Sequence, residues 1–290
     1  MSAFIAVDIG GTKLAAGIVS AEGALIRRVA TPTPETNDPE VLWRTLASLL
    51  DQLDADDDHN ASAVGVGCGG PMALGGETVS PLNIPAWRAF PLRARIAAHL
   101  GLPTFVDNDA KALARGEGWV GAARGVPNYL AMVVSTGVGG GIVIDGRMLD
   151  GATGNAGHIG HIIVAPNGRP CVCGTRGCLE AEASGTAIAA ITGAHPSLAS
   201  ADVIERTGLL VGRAVGMCAN LLNLNLAVVA GSVALGFGEP FFAAAQHELD
   251  RVCTIEFSLG TRIIRAGLGD EGPLIGAASV ARALTREPMS

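Results

Sequence analysis

A strand, glycine turn and strand occur twice along the 290 residues. Val7-Asp8-Ile9-Gly10 followed by Gly17-Ile18-Val19 is echoed by Val134-Ser135-Thr136-Gly137 followed by Gly141-Ile142-Val143. The second spacing is shorter by three residues, so the echo is weak as sequence. It constrains architecture, because each copy opens a three-stranded meander, and a repeated supersecondary unit predicts two related α/β halves facing a cleft. Phe4 to Val7, Leu14 to Val19 and Ala24 to Val29 read as strands joined by glycine turns. Pro39 to Leu53 has helical periodicity, Asp54 to Asn60 an acidic loop, Ala63 to Gly67 a buried strand and Leu92 to Leu100 a helix. Thr104 to Val106 is a strand that delivers Asp107-Asn108-Asp109 at its carboxyl end, with helix from about Ala110. Ala227 to Ala230 and Arg262 to Ile264 are later strands, separated and followed by helices.

Hydrophobic residues make up 49% of the chain, which supplies a substantial core. The net charge of −7 argues against non-specific affinity for nucleic acid or anionic lipid. No apolar run reaches bilayer length and the start lacks a signal-peptide pattern, so the expected compartment is the cytoplasm. Of six cysteines, Cys68, Cys218 and Cys253 sit in apolar surroundings and read as buried free thiols.

The other three group with histidine: His158-Ile159-Gly160-His161, then Cys171-Val172-Cys173, then Cys178-Leu179-Glu180. One histidine and three close thiols match a closed tetrahedral zinc site, and its last thiol would pin the Glu180 carboxylate. Asp8-Ile9-Gly10-Gly11-Thr12-Lys13 and Ser135 to Gly141 are suited to cradling phosphates through backbone N–H groups. Neither is a Walker A loop, and the second also fails the dinucleotide pattern. Asp8 ends a buried strand, where a carboxylate can hold Mg2+ through water. Thr12 and Thr136 add hydroxyl donors. A tight hairpin turn accounts for either glycine cluster alone; the pair in matching positions, beside a zinc-braced carboxylate, points to a small-molecule kinase.

Asp8 to Lys13, Asn108-Asp109, Ser135 to Gly141, Gly160-His161 and the cysteine cluster together resemble the ROK family of sugar kinases and related repressors. The resemblance runs in order from Asp8 to the C-terminal helix. It implies an α/β fold of two actin-like (ribonuclease H-like) domains around a central catalytic cleft, usually in homodimers. The expected division is 1–108 plus a final helix at about 273–290 for the N-terminal domain, and 109–272 for a larger domain with the zinc site.

The resemblance also implies ATP- and Mg2+-dependent phosphorylation of the 6-hydroxyl of an aldohexose. Asp109 would be the catalytic base, although a helix N-cap is the plainer reading of an aspartate there. Gly70, Asn83, Asn108, His158, His161 and Glu180 would meet the sugar. Asp8, Gly10, Gly11, Thr12, Lys13, Thr136, Gly137, Gly139 and Gly231 would serve phosphate, magnesium or adenosine. His161, Cys171, Cys173 and Cys178 would fill a structural zinc site. Asp107 has no matching role and is expected to face solvent or cap the turn. Most of the family has glutamate where this chain has His158, and some N-acetylmannosamine kinases share the histidine. Glucose, the broadest expectation for the family, is expected first, and N-acetylmannosamine, favoured by His158, second. The rival from another class is a sugar-responsive regulator, but repressors of the family carry a DNA-binding domain ahead of the first glycine turn, and Asp8 leaves no room for one. The expected partners are a hexose, ATP and a second copy of the chain, without nucleic acid or membrane.

Overall fold

A computed structural model describes residues 3–54 and 60–285. Most of the acidic loop expected over Asp54 to Asn60, and residues 286–290 of the expected final helix, lie outside the described residues. The chain divides into two units, the first of Met1–Gly121, Asp150–Ala156 and Leu268–Ser290, the second of Ala122–Leu149 and Gly157–Gly267.

In the first unit, β1 (Ala3–Ile9), β2 (Lys13–Ser20) and β3 (Leu25–Pro32) form an antiparallel meander. β4 (Ala61–Cys68) then pairs parallel with β1, and β5 (Thr104–Asn108) parallel with β4. The period-two alternation of β1 sends its side chains to two cores. Ala3, Ile5, Val7 and Ile9 join a cluster with Leu42 and Leu46 of α1 (Pro39–Asp54) and Ile96 of α2 (Leu92–Leu100). Phe4 and Ala6 join Leu274, Ala277 and Ala281 of the last helix.

That last helix packs back on the first sheet, as expected, but the division at residue 109 does not hold. α3 (Asp109–Trp119) stays with the first unit. The cause is close backbone packing: a Cβ on Gly116 would lie 3.0 Å from Gly276 Cα, and one on Gly276 only 2.8 Å from Ala112 O.

The second unit repeats the topology. β6 (Tyr129–Val134), β7 (Val138–Ile144) and β8 (Arg147–Met148) form the meander, with β9 (Leu226–Ala230) parallel to β6 and β10 (Arg262–Arg265) parallel to β9. Both hairpin turns are equally long, Gly10 to Thr12 in one and Ser135 to Gly137 in the other. The glycine run 139–141 is not turn but strand, with Gly139 paired to Val133. Glycine is needed in that strand because a Cβ on Gly140 would lie 2.9 Å from Ile159 Cγ2.

Two short helices, α4 (Leu179–Ala183) and α5 (Gly185–Thr192), precede the long pair α6 (Ala201–Leu222) and α7 (Ser232–Val252). Gly208, Gly212 and Gly216 recur along one face of α6, and a Cβ on Gly212 would lie 2.1 Å from Ala245 O of α7. α7 is interrupted at Gly238, two residues before Pro240. The chain closes with α8 (Gly272–Leu284). Among the described residues no helix is long and apolar enough to cross a membrane.

The glycine stripe makes a two-armed prediction. Gly212→Ala forces α6 off α7 and should cost about 1–3 kcal/mol. Gly236→Ala, in α7 with nothing within 4 Å of the new Cβ, should leave the protein unchanged or slightly more stable. Melting temperatures of both variants check this; equal values would remove the close-packing account.

Candidate active site and metal centre

The parallel strands of the first unit end side by side, and this edge collects the acidic residues. Asp8 pairs in register with Gly67, Gly67 with Asp107, and Cys68 with Asn108. The sequence left open whether Asp109 caps α3. The cap is Asn108, whose Oδ1 accepts from the N–H of Ala110 at 3.0 Å. Asp109 is instead the first helical residue, and its Oδ1 accepts from the same N–H at 2.9 Å. Burial, then the Asp109 carboxylate, pushes the Asp8 carboxyl up to about 6. Cys68, fully buried, is raised well above its ordinary value by burial and by both carboxylates.

Asp107 does not face solvent, and its Oδ1 accepts from the Asn108 N–H at 2.8 Å. Its side chain is 14% exposed, with Arg115 Nε 3.4 Å from Oδ2. Burial raises it first, against the lowering effect of Arg115 and Lys111.

The first glycine turn is closed by Gly10 N–H donating to Lys13 O at 3.0 Å. Thr33, which the sequence did not flag, donates its hydroxyl to Gly10 O at 2.7 Å and its N–H to Thr12 O at 3.1 Å. Gly11, Thr12 and Lys13 are exposed. The loop carrying Asn83 crosses beside this turn: Leu82 N–H donates to Gly70 O at 3.2 Å, and a Cβ on Gly11 would lie 2.8 Å from that of Asn83. A Cβ on Gly70 would in turn sit 3.6 Å from Asn108 Nδ2. The first unit therefore gathers Asp8, Gly10, Gly11, Gly70, Asn83, Asn108 and Asp109.

The second unit builds the metal centre. His161 closes a short 3-10 turn, Ile159–His161, pressed on β7 so closely that a Cβ on Gly160 would lie 2.3 Å from Val138 O. Its Nδ1 is 3.6 Å from Cys171 Sγ, Cys173 Sγ is 3.6 Å from Cys178 Sγ, and all four donor atoms lie within 4.8 Å of one another. A tetrahedron of Zn–S bonds near 2.3 Å has edges of about 3.8 Å, so the donor set fits zinc. Burial, then Cys173 and Cys171, pushes the Cys178 thiol up to about 12, whereas the Thr175 N–H and then Cys171 lower that of Cys173.

Cys178 is also the N-cap of α4, and Glu180 falls in its first turn. Glu180 Oε2 accepts from the N–H of Val138 at 3.0 Å, which ties the metal loop to the second glycine turn. His158 is exposed, its ring 6.1 Å from that of His161.

The second turn is held from several sides. Gly185 N–H donates to Ser135 O at 2.7 Å, and Thr186 Oγ1 to Thr136 O at 2.9 Å. Ser135 Oγ and Ser232 Oγ are 2.9 Å apart. Gly231, with φ of 101°, is required before α7, because a Cβ there would lie 2.3 Å from Val134 O. Beside the turn opens a cavity of about 410 Å³ lined by Thr136, Thr186, His195, Ser232 and Phe237. His195 and Phe237 of this lining belong to no pattern in the sequence.

The family model for the ROK family matches residues 4–284. The chain belongs to the ROK family. A glucokinase from Thermotoga maritima is 41% identical over 63% of this chain and 58% of that one. One from Halalkalibacterium halodurans is 31% identical over 94% of this chain and 93% of its own. An N-acetylmannosamine kinase from Escherichia fergusonii is 38% identical over 81% of this chain and 84% of its own. Among solved structures, a ROK family glucokinase from Streptomyces griseus in complex with glucose and AMPPNP superimposes with a TM-score of 0.81 at 31% identity. That match covers 97% of this chain and 99% of the other. The two like-ordered sheets are the α/β, two-domain actin-like fold that the ROK resemblance implied.

Two measurements follow from this geometry. Replacing Cys178 by serine removes a buried ligand and the anchor of α4. Metal content should fall from about one zinc per chain to near zero, and the melting temperature by about 5 °C or more; a variant that keeps its zinc would remove Cys178 as a ligand. The raised Asp8 means that the folded chain holds a proton the unfolded chain has released. Its stabilising contribution is complete below about pH 4 and is lost as pH rises through about 6. In metal-free protein, Asp8→Asn should match the parent near pH 4 and melt higher than it at about pH 7; parallel melting curves across that range would contradict the assigned burial.

Proposed function

We propose that this chain is an ATP-dependent sugar kinase that transfers the γ-phosphoryl group to the 6-hydroxyl of an aldohexose, with glucose as the first acceptor. The observation that carries the reading is the division of labour at α3. Asn108 is the N-cap and Asp109 the first residue of α3, directly after β5, whose end lies beside that of β4, itself paired with the strand that carries Asp8. The glucokinase relatives support the same acceptor.

A sugar hydroxyl is a poor nucleophile, so its proton must leave as the oxygen attacks phosphorus. Asp109 accepts that proton. The new bond joins the 6-oxygen to the γ-phosphorus, the bond from phosphorus to the β,γ-bridging oxygen breaks, and ADP departs. Catalysis of such a loose transfer is mostly positioning and charge stabilisation. Gly10, Gly11, Thr12, Lys13, Thr136, Gly137 and Gly139 serve the phosphates, and Gly231 the adenosine. Asp8 would hold Mg2+, which would supply positive charge against the phosphates. Gly70, Asn83 and Asn108 orient sugar hydroxyls, as do His158, His161 and Glu180. His161, Cys171, Cys173 and Cys178 would hold a structural zinc, which would leave the second ring nitrogen of His161 to donate in a fixed direction. The working form is a cytoplasmic homodimer, by family resemblance.

N-acetylmannosamine is the second reading, favoured by the exposed His158 and by the relative that bears that activity in its name. A coupled ADP-release assay over glucose, mannose, N-acetylglucosamine and N-acetylmannosamine decides between them. Asp109→Ala should lower turnover of the preferred sugar by about 10²-fold or more, with an unchanged melting temperature. Near-normal turnover would remove Asp109 as the base, and silence on every sugar would favour a non-catalytic sugar-responsive protein.

A further inference from the structure

Lys111 is a residue of α3 that this chemistry leaves unused. Lysine is almost never fully buried unless paired, yet Lys111 is 1% exposed. Its Nζ donates to Asp150 Oδ1 at 2.6 Å and to Gly154 O at 2.8 Å. Both acceptors lie in Asp150–Ala156, a stretch that leaves the second unit after Leu149, packs in the first, and returns at Gly157.

This stretch has little of its own to order it. It has no helix or strand, its Gly151 and Gly154 have φ of 70° and 79°, and residues 150–153 are exposed. Its best internal bond runs from the Ala156 N–H to Asp150 O at 3.0 Å. Segments with few buried contacts open locally at low cost. The Lys111 ammonium adds two directed donors, one to the carboxylate and one to the carbonyl, which an apolar side chain could not.

What the strap leads to gives the lock a purpose. Gly157 is seated hard on β7, where a Cβ would lie 2.5 Å from Gly140 O, and His158 follows at once. Lys111 therefore stands two residues after Asp109 on one helix and grips a segment that ends two residues before His158. The surrounding charges are consistent with a fixed ammonium, since Asp107 lies near it with Arg115 as its own partner.

We infer that Lys111 is a positioning residue for the sugar side of the site, fixing the strap Asp150–Ala156 and through it the placement of His158. The sugar part of this statement rests on the kinase reading; the strap part stands without it. Hydrogen exchange and steady-state kinetics on the full chain test them separately, using the parent, Lys111→Met, Lys111→Arg and Asp150→Asn. The exchange rate of the Ala156 amide should rise by about tenfold or more in Lys111→Met and in Asp150→Asn. The KM for the preferred sugar should rise by about tenfold in both while the KM for ATP stays within about twofold, and arginine should restore part of the loss. Unchanged exchange would overturn the lock. Faster exchange with an unchanged sugar KM would overturn the positioning role and leave a purely structural ion pair. If Lys111→Met does not fold, Asp150→Asn decides, because Asp150 is 56% exposed on its side of the pair. A parent that turns over no sugar would fail the kinase reading while the exchange data still judge the strap.

Discussion

Helix α8 lies on the first sheet through a contact that tolerates no side chain. A Cβ on Gly65 of β4 would sit 1.9 Å from Ala277 O, and on the neighbouring surface of α8 Gly276 meets α3 at Gly116. The residues α8 contributes to this core are mostly alanines, so backbones approach instead of bulky side chains interdigitating. Close-packed backbone has little freedom to adjust. α3, which starts at Asp109, is thereby fixed against a sheet and a second helix, and a carboxylate on such elements is held more firmly than one on a loop.

That rigidity has an electrostatic consequence. The strand edge brings Asp8 toward Asp109 above a buried Cys68, an arrangement that burial and like charge both oppose. Lys13 and Arg28 act in the other direction but do not cancel it. Folding alone gives no reason to build such an edge, whereas a cation or a phosphate-bound metal supplies the missing charge. Asp107, two residues from Asp109, has Arg115 within ion-pair distance. The contrast separates a carboxylate with a cationic partner at hand from an edge where burial and a second carboxylate act on Asp8 together.

The sequence was most legible where local chemistry decides. The helix read over Leu92 to Leu100 has those same ends, because Pro91 precedes it and Gly101, at φ of 66°, terminates it. The cysteine spacing led directly to four donor atoms within tetrahedral reach. What could not be read depends on partners distant in sequence. Counting glycines made the second turn look shorter than the first, when Gly139, Gly140 and Gly141 belong to β7, where Gly140 makes room for Ile159. The Asn108 cap and the Asp107 ion pair are contacts of neighbours whose order on the chain does not say which side chain turns inward. The placement of α3 in the first unit needed Gly276, which lies far along the chain from Gly116.

The metal centre acts through geometry, and Glu180 is where that geometry is felt. Cys178 starts α4, and two residues later Glu180 puts one oxygen on the N–H of Val138. The second glycine turn is thus held by the start of α5 on one side and by a metal-anchored carboxylate on the other. A carboxylate that accepts a single N–H keeps acceptor capacity on both oxygens. Glu180 therefore orders the second glycine turn while keeping acceptor capacity toward a further donor. A zinc whose ligands leave no open position for substrate would act here by fixing the loop that carries Glu180 to that turn.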